Sequence, residues 1–162
     1  MVRQLRAPKD FAGVHAVEAA AFGREAEALI VERVRAEGAA LLELVAEEEG
    51  EIVGHILFSR MTCDPGRRVA GLGPVAVRPD RQNARLGQAL CWAGIDALRD
   101  MGAEAIVVLG HPNYYPRFGF SREAAANIAS PYAGQPAFMA LELTPGALAA
   151  PIKVDYPRSF GV

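Results

Sequence analysis

The chain has 162 residues, 51% of them hydrophobic and 22% charged, enough to bury one substantial core without dividing into domains, as befits a compact enzyme more than a scaffold. A net charge of −2 excludes a general attraction to nucleic acid or anionic lipid. The two cysteines, Cys63 and Cys91, are too few and too isolated for a metal cluster and are expected to be free buried thiols.

Val2 to Arg6 is predicted as a short first strand, followed by a helix from an N-cap at Asp10 to about Phe22, with Phe11, Val14, Val17 and Ala21 as its apolar stripe. A second helix is expected over Arg24 to Glu37, burying Ala28, Leu29, Ile30, Val31 and Val34 and stopping at Gly38. Leu41 to Ala46 and Ile52 to Met61 alternate as two strands joined through an acidic turn at Gly50. Cys63 to Gly66 reads as another turn, leading into a strand that ends at Arg78 before Pro79.

The next helix, Arg85 to Met101, carries Leu86, Leu90, Ala93, Ala97 and Met101 at helical spacing. Gly102 ends it, and Ala105 to Leu109 is apolar throughout, as expected of an interior strand covered on both faces. The strand, helix, strand succession makes that pair parallel. Phe138 to Leu143 and Ile152 to Asp155 are expected as closing strands of a mixed α/β sheet.

The strand that stops at Pro79 and the loop that opens into the next helix together form an anion site. Backbone N–H groups in a helix's first turn have no intrahelical partner, and the peptide dipoles add partial positive charge there. Arg78, Arg81 and Arg85 either place a basic patch beside it or are ordinary solvated arginines. The loop is neither a Gly-x-x-x-x-Gly-Lys-Ser/Thr nor a Gly-x-Gly-x-x-Gly fingerprint, which speaks against a nucleotide protein.

Three segments carry a resemblance to the GNAT superfamily of N-acetyltransferases, in particular its small bacterial members of the YhbS-like type. They are Leu72-Gly73-Pro74-Val75-Ala76-Val77-Arg78-Pro79, then Gln82 through Leu90, and Gly110-His111-Pro112-Asn113-Tyr114-Tyr115-Pro116-Arg117-Phe118-Gly119-Phe120. The resemblance implies a mostly antiparallel central sheet with helices on both faces, and parallel fourth and fifth strands splayed at the cofactor site. It implies acetyl-CoA as cosubstrate, a primary amine as acceptor, and one acyltransferase domain over residues 1–162.

By the same resemblance, backbone groups of Val75, Ala76 and Val77 pair with the pantetheine arm as an added strand. Gln82, Asn83, Ala84, Arg85, Leu86, Gly87 and Gln88 form the pyrophosphate cradle. Arg85 stands where the family's loop has its first glycine, so its side chain either crowds the pyrophosphate or folds back onto it. Tyr115, five residues before Phe120, is the expected acid for the departing thiolate, whereas Tyr114, Phe118 and Phe120 read as packing aromatics. His111 is either an acceptor contact and proton relay or a hydrogen-bonded structural residue.

His55 sits in an apolar strand pattern and is a weaker catalytic candidate. Glu51, Asp64, His111 and an ordered water all stay open as general base. The helices before Gly38 and the segment Ser121 to Pro136, with Asn127, Ser130, Tyr132 and Gln135, are expected to shape the acceptor pocket. Tyr156 to Phe160 packs either across the site or against a second subunit, which leaves a homodimer open. A non-catalytic acyl-CoA binding or sensing module is the alternative. No apolar run reaches about 18 residues and Met1 to Arg6 lacks a signal-peptide core, so a cytoplasmic protein without membrane or nucleic-acid partners is expected.

Overall fold

In the turn between the second and third strands, Glu49 and Gly50 both take positive φ (50° and 78°), the geometry that matches the twist of a tight hairpin. The structure, a computed structural model, describes residues 1–162. Its elements are β1 (Val2–Gln4), α1 (Phe11–Phe22), α2 (Ala26–Ala36), β2 (Ala40–Glu48), β3 (Glu51–Arg60), β4 (Thr62–Asp64), β5 (Val69–Val77), α3 (Leu86–Asp100), β6 (Ala105–Leu109), β7 (Ile128–Ala129), β8 (Phe138–Glu142) and β9 (Ile152–Asp155). The main sheet has the order β1-β2-β3-β5-β6-β8 and is antiparallel except for β5 and β6.

Strand alternation distributes the core between two faces. Leu44, Ile56, Phe58 and Ile106 join Leu90, Ile95 and Leu98 of α3 on one side. Val45 and Leu57 meet Val14, Val31 and Val34 of α1 and α2 on the other. The second half of that face is covered by a small sheet, β4-β9-β7, whose Ile128, Ile152 and Val154 pack on Val107, Phe138 and Ala140. The parallel pair predicted as strands four and five is therefore β5 and β6, because Thr62–Asp64, whose Cys63 and Asp64 were expected to open a turn, pairs with β9 as an additional strand.

Two local expectations need correction. The buried stripe of α3 is Leu90, Cys91, Gly94, Ile95 and Leu98, rotated from the one expected, and Met101 is 49% exposed. Gly94 explains the rotation. A Cβ there would lie 2.2 Å from Cε2 of Phe58, so the helix rests its bare backbone on that ring. Asp10 is also no side-chain cap. Its carboxylate instead accepts hydrogen bonds from both terminal nitrogens of Arg3 (2.7 and 3.1 Å) and from the Arg6 N–H (2.6 Å). These partners, Arg3 above all, hold its carboxyl below the usual range.

The feature that positions the site is a bulge in β5. Phe58 faces Leu72 and Ile56 faces Val75, so β5 carries one residue more than β3 over this interval. Gly73 takes it up at φ 128°, a backbone conformation for which glycine is suited. The ladder to β6 ends at the Leu72–Val108 pair, and from Gly73 onward the edge of β5 that faces β6 has no strand partner.

Candidate active site

A cavity of about 580 Å³ lies along that open edge, lined by Val75 and Val77 of β5, by Gln82, Asn83, Arg85, Gly87 and Gln88 at the entry to α3, and by His111, Tyr114 and Tyr115 after β6. The Arg78 N–H donates to the Val53 carbonyl at 2.8 Å, which makes Gly54–Val77 a non-hydrogen-bonded pair. Val75 and Val77 thus turn their backbone groups toward the open edge. Ala76 turns its own toward β3 and buries its side chain, so it offers no edge group. The Val77 carbonyl is held by the Gln82 side-chain amide at 3.1 Å, tying the loop to the strand.

The loop is a single turn of 3₁₀ helix, Pro79–Ala84, that hands over to α3 at Arg85. Arg85 has φ 59° and ψ 22°, the left-handed conformation in which glycine is at home. The first helical bond runs from the Ala89 N–H to the Arg85 carbonyl (3.1 Å), leaving the amides of Leu86, Gly87 and Gln88 without helical acceptors. The side chains of Ala84 and Leu86 lie outside the cavity, and Leu86 packs on the core. A Cβ on Gly87 would stand 3.3 Å from the Tyr114 hydroxyl, so this glycine keeps the cleft floor low.

The candidate basic patch dissolves into ion pairs. Arg78 binds Asp80 (2.7 Å) and Glu51 (3.1 Å), and Arg81 holds Glu48 through two nitrogens (2.7 and 2.6 Å). Of the three, only Arg85 lines the cavity. Glu51 and Asp64, candidates for general base, do not line it, and Glu51 is occupied by Arg78.

Tyr115 lies beneath Gly110, where a Cβ would collide with its ring at 2.2 Å, and packs edge-on to Tyr114 (5.0 Å) and Phe120 (5.9 Å). Burial pushes the Tyr115 phenol well above its ordinary pKa, so it keeps its proton. Tyr114, expected only to pack, also lines the cavity, with Arg117 over its ring at 4.3 Å. His111 is exposed, and its backbone carbonyl accepts from the Tyr114 N–H at 3.0 Å. Burial raises the thiols of Cys63 to about 11 and of Cys91 to about 12, so neither is a ready nucleophile.

This geometry coincides with a family pattern. The model of the Acetyltransferase (GNAT) family matches residues 11–120. The chain belongs to the GNAT acetyltransferases. It is 32% identical to the uncharacterized N-acetyltransferase YhbS of Escherichia coli K12 over 151 residues, covering 91% of this chain and 90% of that one. It is 41% identical to the uncharacterized N-acetyltransferase YjhQ of the same strain over 118 residues, 68% of this chain but 64% of that protein. The crystal structure of Escherichia coli YhbS in complex with CoA superposes with a TM-score of 0.90 at 30% identity, covering 100% of this chain and 92% of the other. A GNAT acetyltransferase from Brucella melitensis in complex with acetyl-CoA gives 0.83 at 36% identity, covering 99% and 97%.

Side chains that the sequence concealed lie behind β3. Nδ1 of His55 meets Glu18 at 2.6 Å and its Nε2 meets Glu43 at 2.8 Å, while Arg35 holds Glu43 through two nitrogens at 2.8 Å. Glu18 and His55 are completely buried. The available signal was a pair of misfits: a carboxylate one turn after Val14 on the buried stripe of α1, and an imidazole within an apolar strand.

Proposed function

We propose that residues 1–162 form one N-acetyltransferase domain that moves the acetyl group of acetyl-CoA directly to a primary amine. The observation that carries this reading is the meeting of an edge without a strand partner, at Val75 and Val77, with the unbonded amides at the start of α3 and the half-buried phenol of Tyr115 around one cavity. The edge suits the amide groups of a pantetheine arm, and the helix start suits a pyrophosphate. The complexes of YhbS with CoA and of the Brucella protein with acetyl-CoA support the choice of donor.

In the reaction, the amine nitrogen bonds to the acetyl carbon as the carbon–sulfur bond breaks. The amine's proton leaves to His111, which lines the cavity, or to water, and Tyr115 gives its proton to the departing thiolate. A backbone N–H in the stretch Val75 to Val77 stabilises the intervening oxyanion. No covalent enzyme intermediate is required, in keeping with the raised thiols. Those free thiols support a cytoplasmic setting, and no helix is long and apolar enough to cross a membrane.

The test is calorimetric titration of CoA-stripped protein with acetyl-CoA, with ATP and NAD as controls, then assay of thiol release over a panel of amines. Selective binding with release supports the enzyme. Binding without release for any amine favours the non-catalytic module, and no binding by folded protein removes both.

Two variants probe the cradle. Gly87→Trp fills the cleft beside Tyr114 and is expected to weaken acetyl-CoA binding at least about tenfold while Tm moves by less than about 4 °C. Equal losses of binding and folding would make the glycine merely structural. Arg85→Gly separates backbone from side chain. Relief of the left-handed conformation, about 1–2 kcal/mol less the entropy cost of glycine, should raise Tm by about 2–4 °C. Loss of the guanidinium should nonetheless weaken acetyl-CoA about tenfold and flatten the salt dependence of binding. Tighter binding by this variant would mean that Arg85 crowds the phosphates.

A further inference from the structure

A second cavity, of about 250 Å³, opens on the opposite side of the split between β5 and β6. It is bounded by Leu72, Gly73 and Pro74 of β5 and by Leu109, and Val75, the next residue of β5, and His111, two residues beyond Leu109, line the first cavity. An occupant here would therefore approach the donor across the strand gap. The remaining walls come from α1 and α2 and from an aromatic group of Tyr132, Tyr156 and Phe160, packed edge to face at 5.1 and 5.6 Å. Glu27 is the single charged side chain in the lining.

We infer that this cavity takes the acceptor as a small free primary amine with an aromatic or alkyl body, its ammonium group on Glu27 and its body against Tyr132, Tyr156 and Phe160. The inference rests on the acetyltransferase reading above. Glu27 keeps 14% of its side chain exposed and is held by Arg24, whose own side chain is 67% exposed. Arg24 above all, through its hydrogen bond, holds the Glu27 carboxyl below its ordinary range, so the group is an anion available to a cation. An ion pair with so exposed a partner contributes little, so an incoming ammonium group can displace or share it.

Aromatic rings around a carboxylate favour a cation with apolar substituents, through both ring quadrupoles and burial. A polyhydroxylated amine would strand its hydroxyls against this wall. The volume lies below the roughly 300–1,000 Å³ typical of drug-sized pockets, which selects a compact molecule. The ammonium group gives up one proton to His111 or water before its nitrogen attacks and a second afterwards, and the neutral amide that results has no charge for Glu27 to hold, which favours product release.

The experiment is calorimetric titration of phenethylamine into the protein, both free and saturated with CoA, with phenethyl alcohol, glucosamine and Nα-acetyl-lysine amide as comparisons. Phenethylamine should bind at least about tenfold tighter than each of the three. Glu27→Gln should abolish that advantage over the alcohol while acetyl-CoA affinity and Tm stay near wild type, and Phe160→Ala should weaken phenethylamine without restoring the alcohol. Equal binding of amine and alcohol, an unaffected Glu27→Gln variant, or preference for glucosamine or the lysine amide would overturn the inference. Failure of acetyl-CoA to bind in its own titration would instead overturn the acetyltransferase reading, and phenethylamine binding to the free protein would still report on the cavity.

Discussion

Tyr115→Phe is expected to lower turnover by about 10²-fold while acetyl-CoA binds nearly as before. The two halves of this expectation have separate causes. The phenyl ring retained by phenylalanine is what packs against Tyr114, Phe120 and the bare backbone of Gly110, so the cavity wall survives. The hydroxyl is what the leaving thiolate needs, since partial burial raises the phenol above its ordinary pKa and keeps its proton in place to be donated. Pre-steady-state and steady-state rates with one accepted amine, set beside calorimetric affinity for acetyl-CoA, check it. Unaltered turnover would remove Tyr115 from the chemistry and transfer attention to Tyr114, whose hydroxyl stands beside Gly87 in the same cavity. A matched loss of affinity would instead mark the hydroxyl as a contact to the bound donor.

Much of the fold was legible because its signals are local and periodic. The apolar run Ala105–Leu109 has no polar face to confuse its assignment, and a glycine stands at each of the stops Gly38, Gly50 and Gly102. The parallel β5–β6 pair followed from the helix between them. The cavity gathers most of the residues singled out from the loop and from the segment after β6, since each group lies within a few residues along the chain.

What escaped depends on contacts between distant segments. Gly94 carries no hydrophobic signal, yet its lack of a side chain sets which face of α3 meets the sheet. Cys63 and Asp64 looked like the start of a turn because they stand beside Pro65 and Gly66, and only the pairing of Thr62–Asp64 with β9 makes them a strand. Arg78 and Arg81 read as free cations until Glu48, Glu51 and Asp80 were found on them. The phosphate cradle was legible as a motif, but its electrostatics were not.

Replacing His55 with leucine is expected to cost about 3–5 kcal/mol, because it strips a cation from between two buried carboxylates. Glu18 already has one carboxylate oxygen without a hydrogen-bond partner, and leucine would deprive the other of its donor. Burial pushes the imidazole's pKa down, but its hydrogen bonds to the Glu18 and Glu43 carboxylates outweigh it and leave the value raised. A raised basic group stabilises the fold fully below its unfolded value of about 6.5 and loses that contribution as pH rises through the folded value. Burial raises Glu18 as well, so its contribution is also lost with rising pH. Glu43 runs the other way: burial opposes its charge, yet His55 and Arg35 hold it low, so its stabilisation vanishes as pH falls through its folded value. The difference in Tm between wild type and His55→Leu should therefore peak in weakly acidic to neutral buffer. It should narrow in acid, where the carboxylates protonate, and in alkali, where the imidazole loses its charge. Melting curves from acid to alkaline buffer test this directly, and a difference that does not vary with pH would mean that His55 acts as packing rather than as a buried cation.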